Sequence, residues 1–125
     1  MAKVITEKDG VIDWLTELTE EQKLELARDP KTSPKILDVL SKDNSFIVRM
    51  EVAGNPNTAP QTLEALAKDD AWIVRLFVVA NHNTLLRTIK ELTEDEVSVV
   101  REAAKKRLEE LLKAAKKRLE ELLRH

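Results

Sequence analysis

Three Asp/Arg pairs are the most regular ionisable feature of the chain: Asp43 with Arg49, Asp69 with Arg75 and Asp95 with Arg101, six residues apart within a pair and 26 between pairs. A row of guanidinium groups could bind an anion through charge-assisted, bidentate hydrogen bonds. With carboxylates supplied by the chain itself, the same groups bridge neighbouring segments instead. Columns of this kind in stacked structures mostly serve the interface between units. Asp43, Arg49, Asp69, Arg75, Asp95 and Arg101 are therefore read as a structural ladder, with Arg49 and Arg75 kept as candidate partner-binding residues. Other chemistry has few residues to use. The chain has no cysteine and no tyrosine, His82 and His125 lack metal-ligand spacing, and Gly10 and Gly54 make no phosphate cradle. Acid clusters such as Glu94-Asp95-Glu96 fall at helix junctions, where carboxylates favour the following helix N-terminus. The expectation is a non-enzyme with no catalytic residue, no metal and no cofactor.

The repetition extends well beyond the charges. "ARDPKTSPKILDVLSKDNSFIVRMEV" (27–52), "AGNPNTAPQTLEALAKDDAWIVRLFV" (53–78) and "VANHNTLLRTIKELTEDEVSVVREAA" (79–104) align at a period of 26 without insertion. Leu37, Leu63 and Ile89 share a column, as do Leu40, Leu66 and Leu92, and Val48, Val74 and Val100. Each unit predicts two helices. Thr32, Thr58 and Thr84 stand where an N-cap is needed, Thr58 and Gln61 have capping-box spacing, and Pro34 and Pro60 suit a first turn. Apolar residues then recur at three- and four-residue steps, and a second helix opens at "FIVRMEVA" or "WIVRLFVVA". That β-branched run reads as helix because its third copy, "VSVVREAAKKRL", continues directly into one. The "NPNT" and "NHNT" segments supply the turns between units. Trp72, aligned with Phe46, is expected in the core. Trp14, with Val11, Leu15 and Leu18, is expected in a helix that shields the first unit's edge together with "TEEQKLELA". Phe77 stands in a column with Glu51 and Ala103; it either covers the small Ala103 of the next helix or is a partner-binding aromatic.

Val-Arg, Asn-Pro-x-Thr-x-Pro and Leu-x-x-Leu at fixed spacing, fullest in "VAGNPNTAPQTLEALAKD", resemble the leucine-rich repeat variant family, a relative of HEAT-like repeats, over roughly residues 27–100. The six-residue Asp/Arg spacing is similar to that of HEAT repeats. This resemblance implies a right-handed superhelix of helix pairs and no enzymatic activity. Some members carry a cysteine-ligated iron–sulfur cluster ahead of the repeats, which cannot carry over to a cysteine-free chain. The third unit departs from the pattern, with His82 and Leu86 where the second has Pro56 and Pro60. The expected fold class is all-α: a right-handed α-solenoid of 26-residue helix pairs, with capping helices over 1–26, repeats over 27–52, 53–78 and 79–104, and a long helix extension over 105–125.

The extension is written twice: "AAKKRLEELL" occupies 103–112 and returns at 114–123. Val97, Val100, Ala104, Leu108, Leu111, Ala115, Leu119 and Leu122 step with an eleven-residue period, close to 3.67 residues per turn, so the apolar stripe runs nearly straight along the helix. Leu112 and Leu123 widen it beyond a thin two-stranded seam. A helix over 97–124 is roughly 40 Å long, against roughly 15 Å for the helix expected near 85–93, so several turns go unopposed. Leu108, Leu111, Leu112, Ala115, Leu119, Leu122 and Leu123 are therefore the candidate self-association interface. Literal duplication and an Ala, Leu, Lys, Arg and Glu composition point to an engineered helix joined to a natural-like repeat body.

Charge narrows the partners. Residues 1–102 carry 13 basic and 19 acidic side chains, whereas residues 103–125 carry 8 basic and 4 acidic ones. An acidic body argues against nucleic acid, and a stripe without an aromatic anchor argues against a membrane surface. At 42% apolar and 35% charged residues, with no stretch of signal-peptide or membrane-span length, the chain reads as soluble and cytoplasmic, a compartment without meaning for a synthetic chain. Two function classes compete: a repeat scaffold that assembles with itself as a homodimer or higher oligomer, and a module that binds a protein or peptide on the concave face of the repeats.

Overall fold

The computed structural model describes Trp14, Leu15 and residues 17–124; Gly10, Val11 and His125 lie outside the described residues. Among the described residues Trp14 and Leu15 are helical, and seven helices follow them: α1 (Glu20–Arg28), α2 (Pro34–Leu40), α3 (Phe46–Gly54), α4 (Pro60–Leu66), α5 (Trp72–Ala80), α6 (Leu86–Leu92) and α7 (Ser98–Leu123). No strand occurs among the described residues, so the fold is all-α. The β-branched "FIVRMEVA" and "WIVRLFVVA" are helical. Their Val48 and Val52, and Val74 and Val78, four residues apart, fall on one face and are fully buried.

Helix starts are set one residue later than the threonines alone predict. Pro34 and Pro60 occupy the first helical position, so the extended residue just before each, Ser33 or Ala59, becomes the N-cap. The Ser33 hydroxyl accepts from the Ile36 N–H; Ala59 and Leu85 offer no side-chain cap, and the Thr58/Gln61 box does not form. Thr32, Thr58 and Thr84 turn backward instead. Their buried hydroxyls donate to the carbonyls of Leu26, Val52 and Val78 at 2.6–2.7 Å, satisfying the last turn of the preceding helix. A true capping box opens α1, where the Thr19 hydroxyl accepts from the Gln22 N–H and the Gln22 side chain accepts from the Thr19 N–H.

The helices that start at 20, 46, 72 and 98 pack in succession, α1 on α3, α3 on α5 and α5 on α7. The shorter α2, α4 and α6 lie against them, and α6 also runs along α7. Leu37, Leu40, Leu63, Leu66 and Leu92 meet the valines in one core, joined at its N-terminal end by Leu15, with Trp14 and Leu18 packed against it; Ile89 is fully buried as well. Trp72 does not belong to that core. As the first residue of α5 it sits 200° around the helix from Val74 and is 44% exposed, and Phe46 in α3 is 48% exposed for the same reason.

Candidate functional site

The arginine column forms a continuous ladder. Arg49 Nε and Nη2 donate to the two carboxylate oxygens of Asp69 at 2.7 and 3.2 Å, while Nη1 donates to the carbonyls of Asp43 and Asn44. Arg75 repeats the pattern on Asp95, at 2.8 and 3.0 Å, and on the carbonyls of Asp69 and Asp70. Each guanidinium thus closes the loop ahead of its own helix and clamps the aspartate of the next unit. Arg101 keeps the carbonyl half of the pattern, to Asp95 and Glu96, but has no following aspartate to clamp, since α7 simply continues. At the other end Lys23 takes the arginine position, 26 residues before Arg49, and its ammonium reaches Asp43 at 2.8 Å. The sequence reading missed Lys23 because lysine breaks the Val-Arg signature; the spacing alone identifies it.

Electrostatics follow the geometry. Hydrogen bonds from Arg75 hold the Asp95 carboxyl below the ordinary aspartate range against the opposing effect of burial, and the same contact pushes the Arg75 guanidinium up. Asp43 is also lowered: burial opposes it, and the Lys23 hydrogen bond and the Ser45 N–H outweigh that. The cleft beside the ladder is lined by Lys42, Lys68, Arg49 and the aspartates 43, 69 and 70. Three carboxylates balance three cations there, so an anion meets no net positive field. The carboxylate-facing donors of Arg49 and Arg75 are already engaged within the chain.

A second ladder, of asparagines, stitches the turns. The buried Asn55 amide donates to the carbonyls of Ala27 and Asp29, and Asn81 donates to those of Ala53 and Asn55. Asn57 and Asn83 reach back in parallel to the turn carbonyls at Thr32, Pro56 and Thr58. Read as turn residues in the sequence, these asparagines also satisfy helix-end carbonyls across units. Arg107 holds the next position in the Asn55 column, and it donates to the Ala80 carbonyl at 3.1 Å. The side chain that replaces the asparagine caps α5 while α7 runs on.

Phe77 packs against the core. Its ring lies over Gly54 of the preceding helix, where an added Cβ would come within 3.1 Å of the ring. Glu51, at the same column position, reaches back to Arg28 at 3.3 Å. Both side chains reach back toward the preceding long helix, and Phe77 is half-buried against the core.

The doubled segment is where the structure leaves apolar surface uncovered. The first nine residues of α7 match α5 in length, and Val100 and Ala104 are buried. Leu108 and Leu111 are half-buried; beyond them Leu112, Ala115, Leu119, Leu122 and Leu123 are exposed, the leucines by 56 to 76%. The twelve residues from Leu112 to Leu123 extend roughly 18 Å. Lys113 pairs with Glu109 and Arg118 with Glu121 on the outer faces, leaving the leucine stripe as the inward face continued past its cover.

No helix among the described residues is long and apolar enough to cross a membrane. Comparison with known protein families, with curated proteins and with solved structures found no match for this chain.

Proposed function

We propose that this protein is a non-enzymatic helical-repeat scaffold whose C-terminal helix brings copies of the chain together. The observation that carries the reading is the exposed leucine stripe from Leu112 to Leu123, an unbroken continuation of a face that is buried at Val100 and Ala104. Helix starts 26 residues apart, and aspartate and asparagine rungs at the same period, support a solenoid of helix pairs with α1 as its N-terminal edge. Its right-handed sense follows from the resemblance to leucine-rich repeat variants. The verbatim decapeptide and its helix-forming composition support an engineered extension on a natural-like repeat body.

A two-fold homodimer is the simplest closed arrangement, and it opposes the basic tail of one copy to the acidic body of the other. The competing reading is a peptide-binding concave face that uses Phe77, Arg49 and Arg75; it is placed second because both arginines already bond carboxylates of their own chain. Light scattering on the full chain beside a version ending at Arg107 tests the proposal: the full chain should be dimeric at tens of micromolar and the shortened one monomeric. A monomeric full chain ends it.

A further inference from the structure

A second apolar surface lies uncovered, and it is on the body. The outer face of α3 and α5 exposes Phe46, Ile47 and Trp72 and leaves Met50, Ile73 and Leu76 half-buried beside them. These positions repeat from helix to helix, so the two parallel helices present one continuous strip. Its neighbour α1 carries Glu20 and Glu21 at the positions equivalent to Phe46 and Ile47, both exposed. An apolar strip with an acidic border fits an apolar helix with basic flanks.

We infer that the exposed stripe of α7 in one copy docks across the α3–α5 face of a second copy, and reciprocally. This rests on the self-assembly reading above and names the surface that receives the tail. Three observations converge on the second copy as occupant. The tail is the complementary object: Lys116, Lys117 and Arg124 flank its leucines and have no ionic partner among the described residues. Its length is right, because roughly 18 Å of helix spans two neighbouring helices packed 8–10 Å apart. And it cannot fold back on its own body, since α7 is one unbroken helix from Ser98 to Leu123 with no glycine or proline at which to turn. With each tail on the other's face the two-fold closes, and both uncovered surfaces are buried in one step.

The face and the tail are separable by substitution. Phe46 and Ile47 are exposed residues in the first turn of α3, so Phe46→Lys with Ile47→Lys removes apolar contact and repels the basic tail while leaving the core intact. Light scattering and sedimentation on this variant should show the dimer weakened by at least about tenfold, with a cooperative melt retained. Leu119→Glu with Leu122→Glu should weaken it comparably. The cysteine-free chain allows a second readout. An Ile47→Cys chain mixed with a Leu119→Cys chain should form a mixed disulfide faster than either chain cross-links with itself. A dimer that survives both lysines but not the tail glutamates, with Leu119→Cys cross-linking only to itself, means that stripe meets stripe; that overturns this inference and leaves self-assembly standing. A full chain that is monomeric at tens of micromolar overturns both.

Discussion

Arg75 spends its guanidinium on two carboxylate oxygens of Asp95 and two main-chain carbonyls, with both charged side chains at most 10% exposed. Replacing it by glutamine strands a buried carboxylate, which costs roughly 3 kcal/mol for a pair this enclosed. Arg75→Gln should therefore lower the melting temperature by several degrees and leave phosphate binding unchanged, as followed by thermal denaturation and phosphate titration. The same pair sets an acid limit. Because the folded-state value of Asp95 lies below the ordinary aspartate value of about 3.9, its contribution is present above that pH and is lost as pH falls through the depressed value. Stability measured from pH 6 down to pH 2 should fall less steeply in Asp95→Asn, which has already lost the contribution. Thr62 and Thr88 make a third contrast. The Thr62 hydroxyl donates to Asp38 at 2.8 Å, whereas Thr88, fully buried in the same column, has no partner because Glu64 is held by Arg87 at 2.7 Å. Thr88→Val should stabilise by about 1 kcal/mol in denaturant titration and Thr62→Val should destabilise by a similar amount. Equal effects at the two positions would contradict this assignment.

At the scale of the element, each helix pair depends on a few leucines at the junction of its two helices with the next unit. Leu63 and Leu66 are buried in α4, and truncation of Leu63 to alanine should cost about 2 to 5 kcal/mol, read from the midpoint of urea unfolding; a loss below about 1 kcal/mol would mean the wrong face was taken as buried. That face was legible in the sequence, since three- and four-residue steps repeated in every copy leave one solution for the inward side. Helix starts were legible to within a residue. The threonine is the repeated hydroxyl and so reads as the cap, whereas proline at the first helical position moves the cap to Ser33 or Ala59 and frees the threonine for the preceding helix. Trp72 reads as core from hydrophobicity alone, but helical phase places a tryptophan 200° from the buried valine outside, however apolar it is. The approach of Phe77 to Gly54 was not legible, because the period places Glu51 and Phe77 in one column without saying which neighbour either meets.

For the whole molecule, the proposed assembly makes the body and the over-long terminal helix one subunit, whose acidic body and basic tail meet in a second copy. The overhang could be foreseen from the mismatch in helix length, whereas the apolar face on α3 and α5 could not, because its residues look like core in a linear reading. Electrostatic attraction between tail and body is screened over about 10 Å at 0.1 M salt, so assembly should weaken as salt is raised without the loss of folding. Light scattering of the full-length chain at tens of micromolar in low salt, beside Leu111→Glu with Leu122→Glu, tests the claim most directly. The full chain should be a dimer, and the variant a monomer with a cooperatively melting body. A full chain that scatters as a monomer would contradict it.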